Sequence, residues 1–195
     1  MSCEDIKKRT IELEGKVSHM YLDTKGKVTV GIGAMLIDLN AAKKLGLVTR
    51  DKKSKVTPKQ IEDDYNSVKK QPKGKIASAY KKHTKLDLPE TEIDALFRAH
   101  VKDFKSQLRS KFSGFDTFPE EAQEALLDMA FNLGAHALKT KWPKLNQEGI
   151  DKKDWKAAAK HCNRPDVSLK RNNMVKELFE KAAEKVEKKS GTKGD

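Results

Sequence analysis

Several things are scarce in this 195-residue chain, and each shortage excludes something. There are only two cysteines, Cys3 and Cys162, far apart in sequence. They make no disulfide framework and say little about the redox compartment. Apolar runs never exceed a few residues, so no membrane span is expected. The opening stretch, MSCEDIKKRTIELEG, lacks the apolar core of a signal peptide. His19, His83, His100, His136 and His161 show no HExxH or CxxC-like spacing, so no metal site is expected. Arginine is rare too, with six among 41 cations. Base-edge readers lean on the arginine fork, so a lysine excess favours diffuse attraction over sequence reading, and nucleic acid is not the expected partner.

What remains is a strongly basic, helix-rich text. The formal charge is +12, and residues 40–89 supply most of it, with 14 Lys/Arg against five Asp/Glu. Such a surface is drawn to polyanions, an anionic cell wall included, or serves as a solvated face that keeps the protein soluble. Hydrophobic residues make up 36% of the chain. That is low for a globular protein, but long amphipathic runs argue against disorder, and the length suits one domain with a real core.

Residues 5–14 read as a helix stopped by Gly15. SHMYLD and KVTVGIG then read as two strands of a hairpin turning at Thr24-Lys25-Gly26. Further on, Thr57 and Pro58 have the form of an N-cap and first helical residue. LPETEIDALFRAHVKDFKSQL puts Ile93, Leu96, Phe97, Val101, Phe104 and Leu108 on one helical face. Thr117 and Glu120 stand at capping-box spacing. The helix after them is apolar on more than one side, as a buried central helix would be. A short helix follows around Trp155. A terminal helix comes last, with Val175, Leu178, Phe179, Ala182 and Val186 facing inward. The expected class is α+β, mostly α, with a small N-terminal β-hairpin lobe and a helical lobe around a central buried helix. One domain is expected over 1–188, made of a helix and hairpin (1–37), a basic helical segment (38–89) and a helical lobe (90–188), with a disordered tail at 189–195.

The hairpin segment holds the chemistry-bearing residues. EGKVSHMYLDTKGKVTVGIG, residues 14–33, packs Glu14, Asp23, Thr29 and four glycines into one short stretch. Glycosidic bonds are cut by two carboxyl groups, one protonating the leaving oxygen and one acting from the opposite side. A helix-end glutamate and a hairpin-turn aspartate can flank a cleft, and Thr29, across the turn, can hold a water by the second carboxylate. By itself such a pair is weak, since 29 acids give many pairs by chance.

The spacing adds to it. Glu14-Gly15, Tyr21, Asp23-Thr24, Gly26, Thr29 and Gly31-Ile32-Gly33 together resemble the catalytic segment of phage-type lysozymes, the muramidases of glycoside hydrolase family 24. Downstream, LFRAHV at 96–101, LLDMAFNLG at 126–134 and NRPDVSLKRNNMV at 163–175 resemble the family's later helices. The resemblance implies a phage-lysozyme-like fold, with Glu14 as general acid, Asp23 as second carboxylate and Thr29 as the water-positioning hydroxyl. It also implies supporting roles for Tyr21, Gly31 and Gly33, and Arg171 near the acid. Glu14 is then expected to be partly buried, which keeps it protonated. Two departures stand out. Ala34 occupies a position that is usually His, and 38–89 reads as an insertion, like the enlarged lobes of lysozyme domains in bacteriocins and secretion-system effectors.

The implied activity is inverting hydrolysis of the β-1,4 bond between N-acetylmuramic acid and N-acetylglucosamine, by a bacteriolytic monomer without cofactor or metal. Peptidoglycan is the implied partner, reached in the periplasm through holin release or secretion-system delivery, and any delivery or immunity partner is undefined. The alternatives are a lytic transglycosylase, which needs one acid and no catalytic water, and a non-catalytic basic binder of cell wall or nucleic acid. Cys162 is expected to be a core thiol, since adjacent His161 points elsewhere. Trp142 and Trp155 are candidates for sugar stacking, with core packing the expected use of Trp155.

Overall fold

The computed structural model describes residues 3–191. Helix takes 62% of the chain beside a few short antiparallel strands, an α+β protein that is mostly α. The chain forms two compact units, Cys3–His100 and Val101–Asp195. The boundary lies inside a helix, and residues 38–89 pack onto the same strand as the hairpin. No described helix is long and apolar enough to cross a membrane.

The N-terminal unit starts with α1 (Cys3–Glu14). Gly15 ends it, with φ +76° and its N–H on Ile11 O at 2.8 Å, a left-handed stop that favours glycine. Strands β1 (Val17–Leu22), β2 (Val28–Gly31) and β3 (Ala34–Met35) form an antiparallel sheet in that order. Sequence reading runs KVTVGIG together as one strand. Instead the chain turns at Gly31 and Gly33, with φ +69° and +66°, and returns as β3. Two glycines at left-handed φ within three residues make a turn, not a continuous strand.

Beyond the sheet, α2 (Leu39–Lys43) is capped by Asp38 and α3 (Pro58–Lys69) by Thr57, whose capping box with Gln60 is complete. A short ladder joins β4 (Val48–Thr49) to β5 (Leu86–Asp87), with a 3₁₀ turn at Ala77–His83 before it. Ile61, Tyr65, Val68, Tyr80, Leu86 and Leu88 of this segment are buried. Its polar joints are partly shielded from water. Arg50 forks onto Asp87 at 3.1–3.2 Å and onto Thr84, while Asp64 Oδ2 accepts the backbone N–H groups of Lys85 and Leu86 at 2.8 and 2.9 Å. The lysines lie outside an apolar and ion-paired interior.

Helix α4 (Glu90–Lys111) leads across the unit boundary, with Ile93, Phe97, Val101 and Leu108 buried along its predicted face. In the C-terminal unit α5 (Glu120–Leu133) is the buried central helix, with Ala122, Ala125, Leu126, Met129 and Ala130 at 0% exposure. Its capping box does not form. Thr117 already belongs to a 3₁₀ turn, and its hydroxyl donates to Gly114 O at 2.7 Å. After Gly134 come α6 (Ala135–Lys141), a π-helical turn (Leu145–Ile150), α7 (Trp155–His161) and α8 (Leu169–Gly191).

Trp155 is a core residue, edge-on to Phe118 at 5.0 Å and stacked on Phe179 at 6.3 Å, while Trp142 is half-buried. Along α8, Val175, Leu178, Phe179 and Ala182 are buried, but Val186 is 45% exposed, because the helix outruns the core it packs on. The helix passes 188 and reaches Gly191, since no residue in EKVEKKS breaks it. The rest of the expected tail, and the Cys3 side chain, lie outside the described residues. Cys162 is a buried free thiol whose pKa is raised by that burial.

Gly149 sits hard against α7 in the C-terminal unit. A Cβ there would lie 2.8 Å from Ala158 Cα and 2.9 Å from its Cβ and N. Gly149→Ala is expected to destabilise this unit by about 1–3 kcal/mol, the usual cost of overpacking a fixed contact. Thermal melts of wild type and variant test it, and an unchanged Tm refutes it.

Candidate active site

The N-terminal unit brings together Glu14, Tyr21, Asp23, Thr29 and Gly33. The β1–β2 register does most of the positioning. Tyr21 is paired directly with Thr29, and directly opposite residues point to the same face with Cβ atoms about 4.5–5.5 Å apart. Asp23 closes the turn, its Oδ1 accepting the N–H groups of Lys25 at 2.9 Å and Lys27 at 2.7 Å. Thr29 donates its hydroxyl to Lys27 O at 3.2 Å. Asp23 and Thr29 therefore hold the two polar groups of one residue, and Asp23 Oδ2 takes part in neither turn bond.

Electrostatics ties the phenol to both acids. The Tyr21 pKa is pushed up to about 12, first by burial and then by the negative charges of Glu14 and Asp23. One hydroxyl thus feels the helix-end carboxylate and the turn carboxylate together. Gly33 lies beside the first of these, since a Cβ on it would meet Glu14 Cγ at 3.8 Å.

Glu14 is exposed, not partly buried, because it is the last residue of α1 and Gly15 beside it adds no cover. Thr29 is buried at 3% exposure, so its hydroxyl offers chiefly acceptor lone pairs. Gly31 is buried under Ile93 and Leu96, so its bare backbone serves the turn, whereas exposed Gly33 keeps an open side.

Arg171 stands in the C-terminal unit. Its Nε lies 3.0 Å and 3.1 Å from the Asp128 oxygens, and Arg164 reaches the same carboxylate at 3.0 Å. Sequence reading overlooked Asp128. The clue was an aspartate inside the most apolar helix, where a charge needs a partner. Among the described residues, no group of three or more His, Cys, Asp or Glu could hold a metal ion.

A cleft of about 840 Å³ exists in the same unit as the acids, but it is lined from residues 49–51, 60–67 and 82–86 and includes none of the five clustered residues. Paired carboxyls with a nearby hydroxyl are the stronger chemical signal, so volume does not mark the acid site here. No protein-family model matches the chain, and no curated protein matches it closely enough to count as a relative.

Three outcomes are expected from this geometry. In Glu14→Gln or Asp23→Asn, removing one negative charge should lower the Tyr21 pKa, read by NMR of ¹³C-labelled tyrosine. An unmoved titration in both variants would separate the phenol from the acids. Because the folded chain holds this proton more tightly than the unfolded one, stability should fall as pH rises from about 10 towards 12, and less so in Tyr21→Phe. Separately, Asp128→Ala leaves Arg164, 1% exposed, without its counter-charge and should cost about 3–5 kcal/mol in urea unfolding. A loss under 1 kcal/mol (~fivefold in the unfolding constant) would contradict that.

Proposed function

We propose that the chain is a muramidase of phage-lysozyme type, hydrolysing the β-1,4 bond between N-acetylmuramic acid and N-acetylglucosamine in peptidoglycan with inversion. The observation that carries this is Tyr21, paired across the hairpin with Thr29, its pKa raised first by burial and then by the charges of both Glu14 and Asp23. Two carboxyls and a hydroxyl converge where sequence spacing alone resembled a glycosidase.

Glu14 acts as the acid and protonates the glycosidic oxygen as the bond to the anomeric carbon breaks. A water attacks that carbon from the other face, giving a proton to Asp23 Oδ2 while it donates its second hydrogen bond to Thr29 Oγ1. Thr29 suits this part because its own proton is committed to Lys27 O. Since Glu14 is exposed in the free protein, it is the bound sugar that shields it from water. Exposed Gly33 beside it lets the sugar approach the backbone. Arg171 is not needed for either proton transfer. Neither transfer calls for a metal or cofactor.

Digestion of purified sacculi followed by mass spectrometry of the muropeptides tests the proposal. Hydrolysis gives new reducing ends, initially of inverted configuration. Glu14→Gln should lose at least about 10²-fold in rate, the scale of a general acid, and Asp23→Asn should be similarly crippled. Thr29→Ala should lose less where backbone groups still hold the water. Products ending in 1,6-anhydromuramic acid would replace hydrolysis by transglycosylation. Salt-sensitive wall binding with no new ends would leave only a basic binder.

A further inference from the structure

The cleft of about 840 Å³ in the segment 38–89 lies within the roughly 300–1,000 Å³ typical of small-ligand sites. Its two walls differ in charge. Asp63 and Asp64 come from α3 and Asp51 from the turn after β4, whereas Lys82, His83 and Lys85 come from the 3₁₀ turn and the approach to β5. Much of this charge is already occupied. Asp63 pairs with Lys59 at 2.9 Å, Asp51 caps the Lys52 N–H, and the Arg50 fork is spent on Asp87 and Thr84.

Asp64 differs. It is only 7% exposed, yet it lines the cleft. Both of its hydrogen bonds, from the Lys85 and Leu86 amides, fall on Oδ2. Oδ1 accepts none from any described residue. That oxygen keeps its acceptor capacity, and a charged N–H is the donor that uses it best. On the facing wall, Lys82 and Lys85 are exposed and form no ion pair with a described residue.

We propose that this cleft binds a short zwitterionic peptide, its ammonium on Asp64 and its carboxylate on Lys82 and Lys85. Resting on the muramidase reading, that peptide is the stem carried by the glycan, whose diamino acid supplies the ammonium and whose last residue supplies the carboxylate. The cleft adjoins the strand that carries Tyr21, since Asp87, which holds Arg50 at the cleft, also accepts the Ser18 hydroxyl of β1 at 3.2 Å.

The test is an NMR titration of the ¹⁵N-labelled chain with a synthetic stem tripeptide, N-acetyl-L-Ala-γ-D-Glu-L-Lys, whose acetyl group stands in for the link to the glycan. Saturable shifts are expected at the Lys85 and Leu86 amides. Acetylating the lysine amine or amidating the terminal carboxylate should each weaken binding about tenfold or more, the scale of losing one charge-assisted hydrogen bond. Asp64→Asn should do the same. Lys85→Ala changes an exposed side chain, so its weakening can be read even where Asp64→Asn disturbs folding. Cleavage of sacculi is scored separately. Peptide binding without cleavage keeps the cleft and removes the muramidase. Cleavage without shifts at Lys85 and Leu86, or with shifts indifferent to both blocking groups, overturns the cleft.

Discussion

The carboxylate of Asp23, gripping the Lys25 and Lys27 amides, fixes the turn between β1 and β2, and the register of the N-terminal sheet follows from it. Side chains alternate with a period of two, so a slip of one residue would send Tyr21 and Thr29 to the other face. With the turn closed on Lys27, Tyr21 meets Thr29 and Leu22 meets Val28. Met20, Val28 and Val30 are then buried, at 1%, 3% and 0% exposure. One interaction therefore sets both the core of the sheet and the residues that face Glu14.

A carboxylate that closes a turn is held still by the bonds that close it. Because both turn bonds fall on one oxygen, the other keeps its acceptor capacity. Lys27 couples Asp23 to Thr29 through its two backbone groups, so the second carboxylate and the hydroxyl move together or not at all. Glu14 is placed by the helix end that Gly15 terminates.

The segment 38–89 shows how a lysine-rich stretch becomes ordered. Its lysines stay at the surface, while Arg50, Asp64 and Asp87 provide the internal polar joints that a weak β ladder cannot supply. Two-residue strands add little by themselves. Carboxylate-to-amide and guanidinium-to-carboxylate bonds, partly shielded from water, carry more. The result is a walled cleft where the sequence suggested a charged surface.

Local chemistry was legible in the sequence. The stop at Gly15, the cap at Thr57 with Pro58 behind it, the turn through Gly26 and the burial of α5 all follow from residues within a turn of one another. So does the clustering of Glu14, Asp23 and Thr29 in one short stretch. What escaped depended on partners distant in the chain. Arg50 meets Asp87 across 37 positions, Asp64 meets Leu86 across 22 and Arg171 meets Asp128 across 43. Thr117 had the spacing of a capping box, but a neighbouring 3₁₀ turn claimed its hydroxyl. Val186 had the period of a core residue, but the core ended before it. Periodicity and capping are encoded by near neighbours, so the sequence determined them alone. Which charge finds which partner, and how far a packed face extends, was decided only when distant segments came together and excluded water.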